Sequence, residues 1–164
     1  MIHVETAKPA DVSAVRGIAA EVFSQYGDYA RILPRFFASP GVQTYLARDE
    51  QRVLGFVMIG FIPWSGKDTR SDSWVGDVLA LAVVPEARRQ GVGTRLMQRA
   101  RELARDLGRE RVIRELQLTC ARTNHAALAF FARLGFRVVD PAHGWYSGGQ
   151  PALRMAGSLE SEKG

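Results

Sequence analysis

Val83-Val84-Pro85-Glu86-Ala87-Arg88-Arg89-Gln90-Gly91-Val92-Gly93-Thr94 is the stretch whose reading decides the fold. An apolar run, Val78-Leu79-Ala80-Leu81-Ala82-Val83-Val84, enters it, and Pro85 stops that run. A helical pattern leaves it: Val92, Leu96, Ala100, Leu103, Ala104 and Leu107 recur at three- and four-residue intervals, with Gly108 placed as the stop. The order is strand, basic glycine-containing turn, helix. Such a turn presents backbone N–H groups at the positive end of a helix, where phosphate oxygens bind readily. Gly91 and Gly93 carry no Cβ, so a ligand can come close to the backbone.

What the turn lacks narrows the ligand. A dinucleotide fingerprint needs a third glycine, but the residue after Gly91-Val92-Gly93-Thr94-Arg95 is Leu96. The Gly-Lys-Ser/Thr of a P-loop occurs nowhere in the chain. What remains, Arg88-Arg89-Gln90-Gly91-Val92-Gly93, fits Arg/Gln-x-x-Gly-x-Gly/Ala and resembles the acetyl-CoA pyrophosphate motif of the GNAT (GCN5-related N-acetyltransferase) superfamily.

Composition agrees with a single α/β domain of 164 residues, large enough for a core. Apolar residues make up 46% and charged residues 24%, the balance of an ordinary globular protein. No apolar run has the length of a membrane span, and Met1-Ile2-His3-Val4-Glu5 does not open a signal peptide. Cys120 is the one cysteine, which excludes an internal disulfide and a cysteine-rich metal site; a cytoplasmic location is the default expectation. The net charge of +5 suits an anionic ligand such as coenzyme A. Because Lys and Arg are dispersed rather than gathered into a block, nucleic acid is not expected as a partner. A homodimer is left open.

Along the chain, residues 2–6 alternate as a strand, and Pro9 opens an amphipathic helix to about Phe23. A second short helix is expected over 29–37, strands over 43–48 and 52–62, and a polar loop over 63–73. The central strand, 74–84, has a continuous apolar half that predicts burial on both faces. Residues 111–120 alternate, with Leu116, Leu118 and Cys120 on one face. Asn124 is placed to cap a helix that Gly135 ends; strands follow over 136–139 and 151–155, joined by a Gly-rich loop. The predicted order β-α-α-β-β-β-α-β-α-β-β, with a mixed, mostly antiparallel central sheet flanked by helices, matches the GNAT fold. The domain is expected over 1–156, with 157–164 as a frayed tail.

A second landmark, Asn124 with Phe130-Phe131-Ala132-Arg133-Leu134-Gly135-Phe136, resembles the family's Asn-x(5)-Φ-Tyr-x-x-x-Gly-Phe segment, where Φ is a large apolar residue. The resemblance implies an acetyl-CoA-dependent N-acetyltransferase acting on a primary amine by direct transfer, without a covalent enzyme intermediate and without metal. It places the pantetheine and thioester along Leu81, Ala82 and Val83. It gives the pyrophosphate to Arg88, Arg89, Gln90, Gly91, Val92, Gly93 and Thr94, and a pantetheine contact to Asn124, which equally serves as a plain helix cap.

The reaction asks that an amine lose a proton, an oxyanion be stabilised and a thiolate leave. Here the chain departs from the pattern. Phe131 stands where many members carry the Tyr that protonates the leaving sulfur, and Phe has no proton to give. Asp77, fourteen residues before Gly91, matches the base position of histone-type members, where partial burial would raise its pKa toward usefulness. Read without the family, Asp77 is a solvated strand-end residue. Thr119 occupies the Glu position of ribosomal-protein acetylators and cannot be a base. The ending Trp145-Tyr146-Ser147-Gly148-Gly149-Gln150-Pro151-Ala152-Leu153-Arg154-Met155 looks like that of amino-terminal acetyltransferases. Tyr146 is thereby a candidate to orient the acceptor or donate a proton, against hairpin packing as the simpler role. His3, His125 and His143 read as lone histidines. The alternative function is a module of the same fold that binds acyl-CoA with impaired catalysis, motivated by Phe131 and Thr119. The acceptor itself is not named by the sequence.

Overall fold

The computed structural model describes residues 1–64 and 73–159. Its element order is β1 (His3–Thr6), α1 (Val12–Phe23), α2 (Tyr29–Phe37), β2 (Gln43–Arg48), β3 (Val53–Pro63), β4 (Ser73–Val83), α3 (Val92–Leu107), β5 (Val112–Ala121), α4 (His125–Arg133), β6 (Arg137–Asp140) and β7 (Ala152–Gly157). That is the order expected from the sequence. The strands form a seven-stranded mixed sheet in the order β1-β2-β3-β4-β5-β7-β6. Strands β4 and β5 run parallel, whereas β1–β2, β2–β3, β5–β7 and β6–β7 are antiparallel. No described helix is long and apolar enough to cross a membrane.

The chain divides into two compact units, Met1–Ile59 with Leu79–Ala100 and Gly60–Val78 with Arg101–Gly164. Strand β4 and helix α3 contribute residues to both. In the first unit α1 buries Val15, Ile18 and Ala19, the i, i+3, i+4 stripe of an amphipathic helix. Pro9 opens a separate 3-10 turn, Pro9–Asp11, rather than α1 itself, and the Asp11 carboxylate accepts from the Lys8 N–H at 2.8 Å. The α3 stripe buries Val92, Leu96, Met97 and Ala100 here. Gly55 on β3 is needed for close approach: a Cβ there would lie 2.5 Å from the Ala82 carbonyl oxygen.

In the second unit β5 buries Leu116, Leu118 and Cys120, and β7 buries Leu153 and Met155. Leu118 pairs with Met155 and Thr119 with Arg154, so apolar and polar side chains separate onto opposite faces. Three expectations need correction. Burial along β4 alternates: Asp77, Leu79, Leu81 and Val83 are half-buried while Val78, Ala80 and Ala82 are buried. An apolar run does not reveal that one face is kept partly open. The last strand extends past Met155 to Gly157, whose missing Cβ leaves room for the Phe136 ring, and the Leu159 carbonyl accepts from Arg105 Nε at 2.9 Å. Residues 157–159 are therefore tied down where a frayed tail was expected. Of the expected polar loop, residues 65–72 lie outside the described residues, as do residues 160–164 of the tail.

Candidate active site

The basic turn lies in the first unit. After β4, Pro85–Ala87 forms one 3-10 turn and Arg88 is extended. Arg89 then adopts φ 63° and Gly91 φ 79°. A left-handed conformation at a non-glycine residue is strained, and such strain concentrates where a backbone must be presented to a ligand. The side chains tie the turn to itself: Arg88 Nε donates to the Val83 carbonyl at 3.1 Å and Gln90 Nε2 to the Glu86 carbonyl at 3.2 Å. The first helical bond runs from the Arg95 N–H to the Gly91 carbonyl at 3.1 Å. The N–H groups of Gly91, Val92, Gly93 and Thr94 consequently point out of the helix end. No atom lies within 4 Å of the place a Gly91 Cβ would occupy, so that approach is open.

Charge at this end is mostly basic, with Glu86 of the preceding turn paired to Arg52 at 2.9 Å. The first turn of α3 holds no acidic residue, while Arg88 and Arg89 precede it. Cations beside the positive end of a helix oppose the macrodipole, and an anion removes the conflict.

The second unit gathers a polar row on one sheet face. Asp77 pairs in register with Gln117, Thr119 with Arg154, and Arg154 with Asp140. Burial pushes the Asp77 carboxyl above the ordinary carboxylate range; the Arg154 charge, a hydrogen bond from Gln117 and the His143 charge pull it back in part. His143 has a partner: its Nδ1 lies 3.1 Å from Asp140 Oδ2. Asp140 also accepts from the Ala142 N–H at 3.0 Å, and that bond, then His143, holds its carboxyl below the usual range. Tyr146, on the loop before β7, donates its hydroxyl to the Thr119 carbonyl at 3.3 Å.

The other sequence-named residues have structural places. Asn124 caps α4, its Oδ1 accepting from the Ala127 N–H at 3.2 Å. Phe131 is buried edge-to-face between Phe130 and Phe136, at 5.2 and 5.7 Å between centroids. Cys120 is buried, and burial pushes its thiol up to about 11, so it is no nucleophile at neutral pH. His125 is exposed at the start of α4, and His3 Nε2 sits 3.7 Å from Glu5. Leu81 and Val83 keep half-exposed side chains on β4, with Ala82 buried between them. Among the described residues no group of three or more His, Cys, Asp or Glu is placed to hold a metal. Sequence reasoning missed Gln117, Arg154 and the Asp140–His143 pair. Their alternation against buried neighbours was readable, but the register that aligns them was not.

Comparison with known proteins agrees with the fold. The profile of the acetyltransferase (GNAT) family matches residues 13–136. N-alpha-acetyltransferase 30 of Schizosaccharomyces pombe is 28% identical over 127 residues, 77% of this chain and 79% of that protein. An N-alpha-acetyltransferase of Sulfolobus acidocaldarius is 31% identical over 123 residues, 73% of this chain and 70% of that one. In fold, the chain is similar to Arabidopsis thaliana NAA60 in complex with a bisubstrate analogue, with a TM-score of 0.82 at 18% identity, covering 96% of this chain and 98% of that one. The chain belongs to the acetyltransferase (GNAT) family. It is an acetyl-CoA-dependent acetyltransferase.

Proposed function

We propose that the enzyme moves the acetyl group of acetyl-CoA directly onto a primary amine in a ternary complex, and that the acceptor is the α-amino group of a peptide. The observation that carries the cofactor half is the helix end at Gly91–Thr94, with its outward N–H groups, its open approach over Gly91 and a first turn without acidic residues. These groups, with Arg88, Arg89 and Gln90, would hold the pyrophosphate; the backbone of Leu81, Ala82 and Val83 would align the pantetheine and thioester. Asn124 and Phe131 belong to the same binding proposal, Asn124 through the carboxamide N–H2 left beside its cap and Phe131 through its ring. The relatives named as N-alpha-acetyltransferases support the acceptor class.

Acetyl-CoA supplies the activated acetyl group and a thiolate leaving group. The chain's own task is the proton. Asp77 accepts one proton from the acceptor ammonium, which frees the nitrogen lone pair to form the C–N bond as the C–S bond breaks; the second proton, shed by the acylated nitrogen, passes to water and from there to the departed thiolate. Tyr146 orients the acceptor from the loop before β7, and its hydroxyl, committed to the Thr119 carbonyl, keeps that loop in place. Phe131 has no proton to give, so the thiolate leaves unassisted, at a cost in rate rather than in outcome.

The test is release of free coenzyme A with peptides bearing free or blocked α-amino groups, with small amines as a parallel panel. Release with free-amine peptides and none with blocked ones is expected. Acetyl-CoA binding without release for any amine would favour the second reading, a binding module with impaired catalysis, to which the buried and apolar Phe131 lends its weight.

A further inference from the structure

The Asp140–His143 pair has the arrangement of a carboxylate-oriented base. His143 Nδ1 lies 3.1 Å from Asp140 Oδ2. The Ala142 N–H, and then His143, hold the Asp140 carboxyl below the usual range, so at neutral pH it is an ionised acceptor. The ring proton of neutral His143 therefore sits on Nδ1, and Nε2 carries the lone pair. Among the described residues no other group bonds the ring, and the side chain is 33% exposed.

The loop that carries His143 is fixed against β7 and β5. The His143 N–H donates to the Ala152 carbonyl at 2.9 Å and the Ala152 N–H to the Gly144 carbonyl at 3.0 Å. Three residues on, the Tyr146 hydroxyl reaches the Thr119 carbonyl. Thr119 stands two residues along β5 from Gln117, the register partner of Asp77, a step of about 7 Å on one strand face. The loop thus lies over the part of the second unit that holds Asp77, whose carboxyl responds first to burial and also to the His143 charge. The other charged groups around the loop are Arg154, the register partner of Asp140 on β7, and Arg122, whose N–H donates to the Pro151 carbonyl at 2.8 Å. Gln117 and Thr119 on β5 are neutral.

We infer that His143 is a second catalytic residue of the transfer, its Nε2 taking the second proton that the acceptor nitrogen sheds. The inference rests on the proposed transfer to a peptide amine, with Asp77 taking the first proton. An ammonium loses two protons in becoming an amide N–H, and a carboxylate that has taken one cannot take the other. An imidazole changes charge near neutral pH and suits a nitrogen made acidic by the forming C–N bond. Asp140 fixes the tautomer of that imidazole and steadies the imidazolium. The step balances: the N–H bond breaks, its electron pair stays on nitrogen, and Nε2–H forms. That proton then leaves Nε2 through water for the departed thiolate, and Asp77 releases the first proton to solvent.

The experiment measures kcat/KM against pH for a peptide with a free α-amino group, in wild type, His143→Gln, His143→Ala, Asp140→Asn and Asp77→Asn, with melting curves to establish folding. His143→Gln and His143→Ala should lower kcat/KM about 10²-fold at neutral pH and keep the acetyl-CoA melting shift; free imidazole should restore His143→Ala by roughly tenfold. Nitrogen NMR of the wild-type ring should show the proton on Nδ1, and Asp140→Asn should move it toward Nε2 and lower kcat/KM. Unchanged kcat/KM in folded His143→Gln overturns the inference. So does a loss in His143→Ala that imidazole leaves untouched, because His143 then only latches the loop. If His143→Ala does not fold, the His143→Gln rates and the Asp140→Asn tautomer decide. Full activity in Asp77→Asn beside an imidazole-restored loss in His143→Ala supports His143 and removes Asp77 as the first base, so the two failures are distinguishable.

Discussion

Replacing Gly91 by glutamate puts a carboxylate where the pyrophosphate is expected and an L side chain where the backbone is left-handed, and the two effects separate by magnitude. No atom lies within 4 Å of the new Cβ, so the fold meets no clash. The cost to the free protein is that of an L residue at φ 79°, about 1–2 kcal/mol. For a chain of this size that lowers Tm by roughly 2–8 °C. Ligand protection is larger: acetyl-CoA at a hundred times its Kd stabilises the wild type by about 2.7 kcal/mol, roughly 5–11 °C in Tm. Thermal melts with and without acetyl-CoA read both quantities on the same sample. Gly91→Glu should melt a few degrees lower and lose the acetyl-CoA shift; Gly91→Ala should show the same backbone cost and keep part of the shift. A folded Gly91→Glu protein that retains the full shift would refute the reasoning, because the anion would then bind elsewhere.

Asp77→Asn keeps shape and removes the base, so kcat/KM should fall about 10²-fold with acetyl-CoA affinity retained, which initial-rate kinetics and melts check together. Because burial raises the folded Asp77 pKa, wild-type stability falls as pH rises from the ordinary carboxylate value through the raised one; above that window Asp77→Asn should melt higher than wild type, and equal Tm values at neutral pH would contradict the burial argument. Tyr146→Phe removes one hydrogen bond to the Thr119 carbonyl, worth about 0.5–1.5 kcal/mol, and should raise KM for the acceptor while the alkaline limb of the pH profile stays in place. Asn124→Ala removes the α4 cap and should cost about 1 kcal/mol in denaturant unfolding, whatever it does to cofactor affinity. Cys120, with its thiol near 11, should resist alkylation in the folded protein at neutral pH and react once denaturant is added.

Local chemistry made much of the fold legible. Pro85 and the spacing of Val92, Leu96 and Ala100 mark where β4 ends and α3 begins, and Asn124 marks α4, because caps and periodicities act over one or two turns. The face of β4 was misread because Leu79, Leu81 and Val83 are apolar whether they meet core or a ligand channel. The site was half legible for the same reason. A strand–turn–helix anion site is written in contiguous residues, whereas the row Asp77, Gln117, Arg154, Asp140 depends on pairing registers between strands far apart in sequence. His143 read as a lone histidine because it lies in a loop, three residues past its partner Asp140 at the end of β6, and no periodicity fixes that loop's path.

The most direct measurement of the central claim is a crystal structure of the enzyme with acetyl-CoA. The account predicts pyrophosphate oxygens within hydrogen-bond distance of the Gly91, Val92, Gly93 and Thr94 N–H groups, and the pantetheine and thioester running along the backbone of Leu81, Ala82 and Val83. Pyrophosphate density away from that helix end, with those four N–H groups facing solvent, would contradict it.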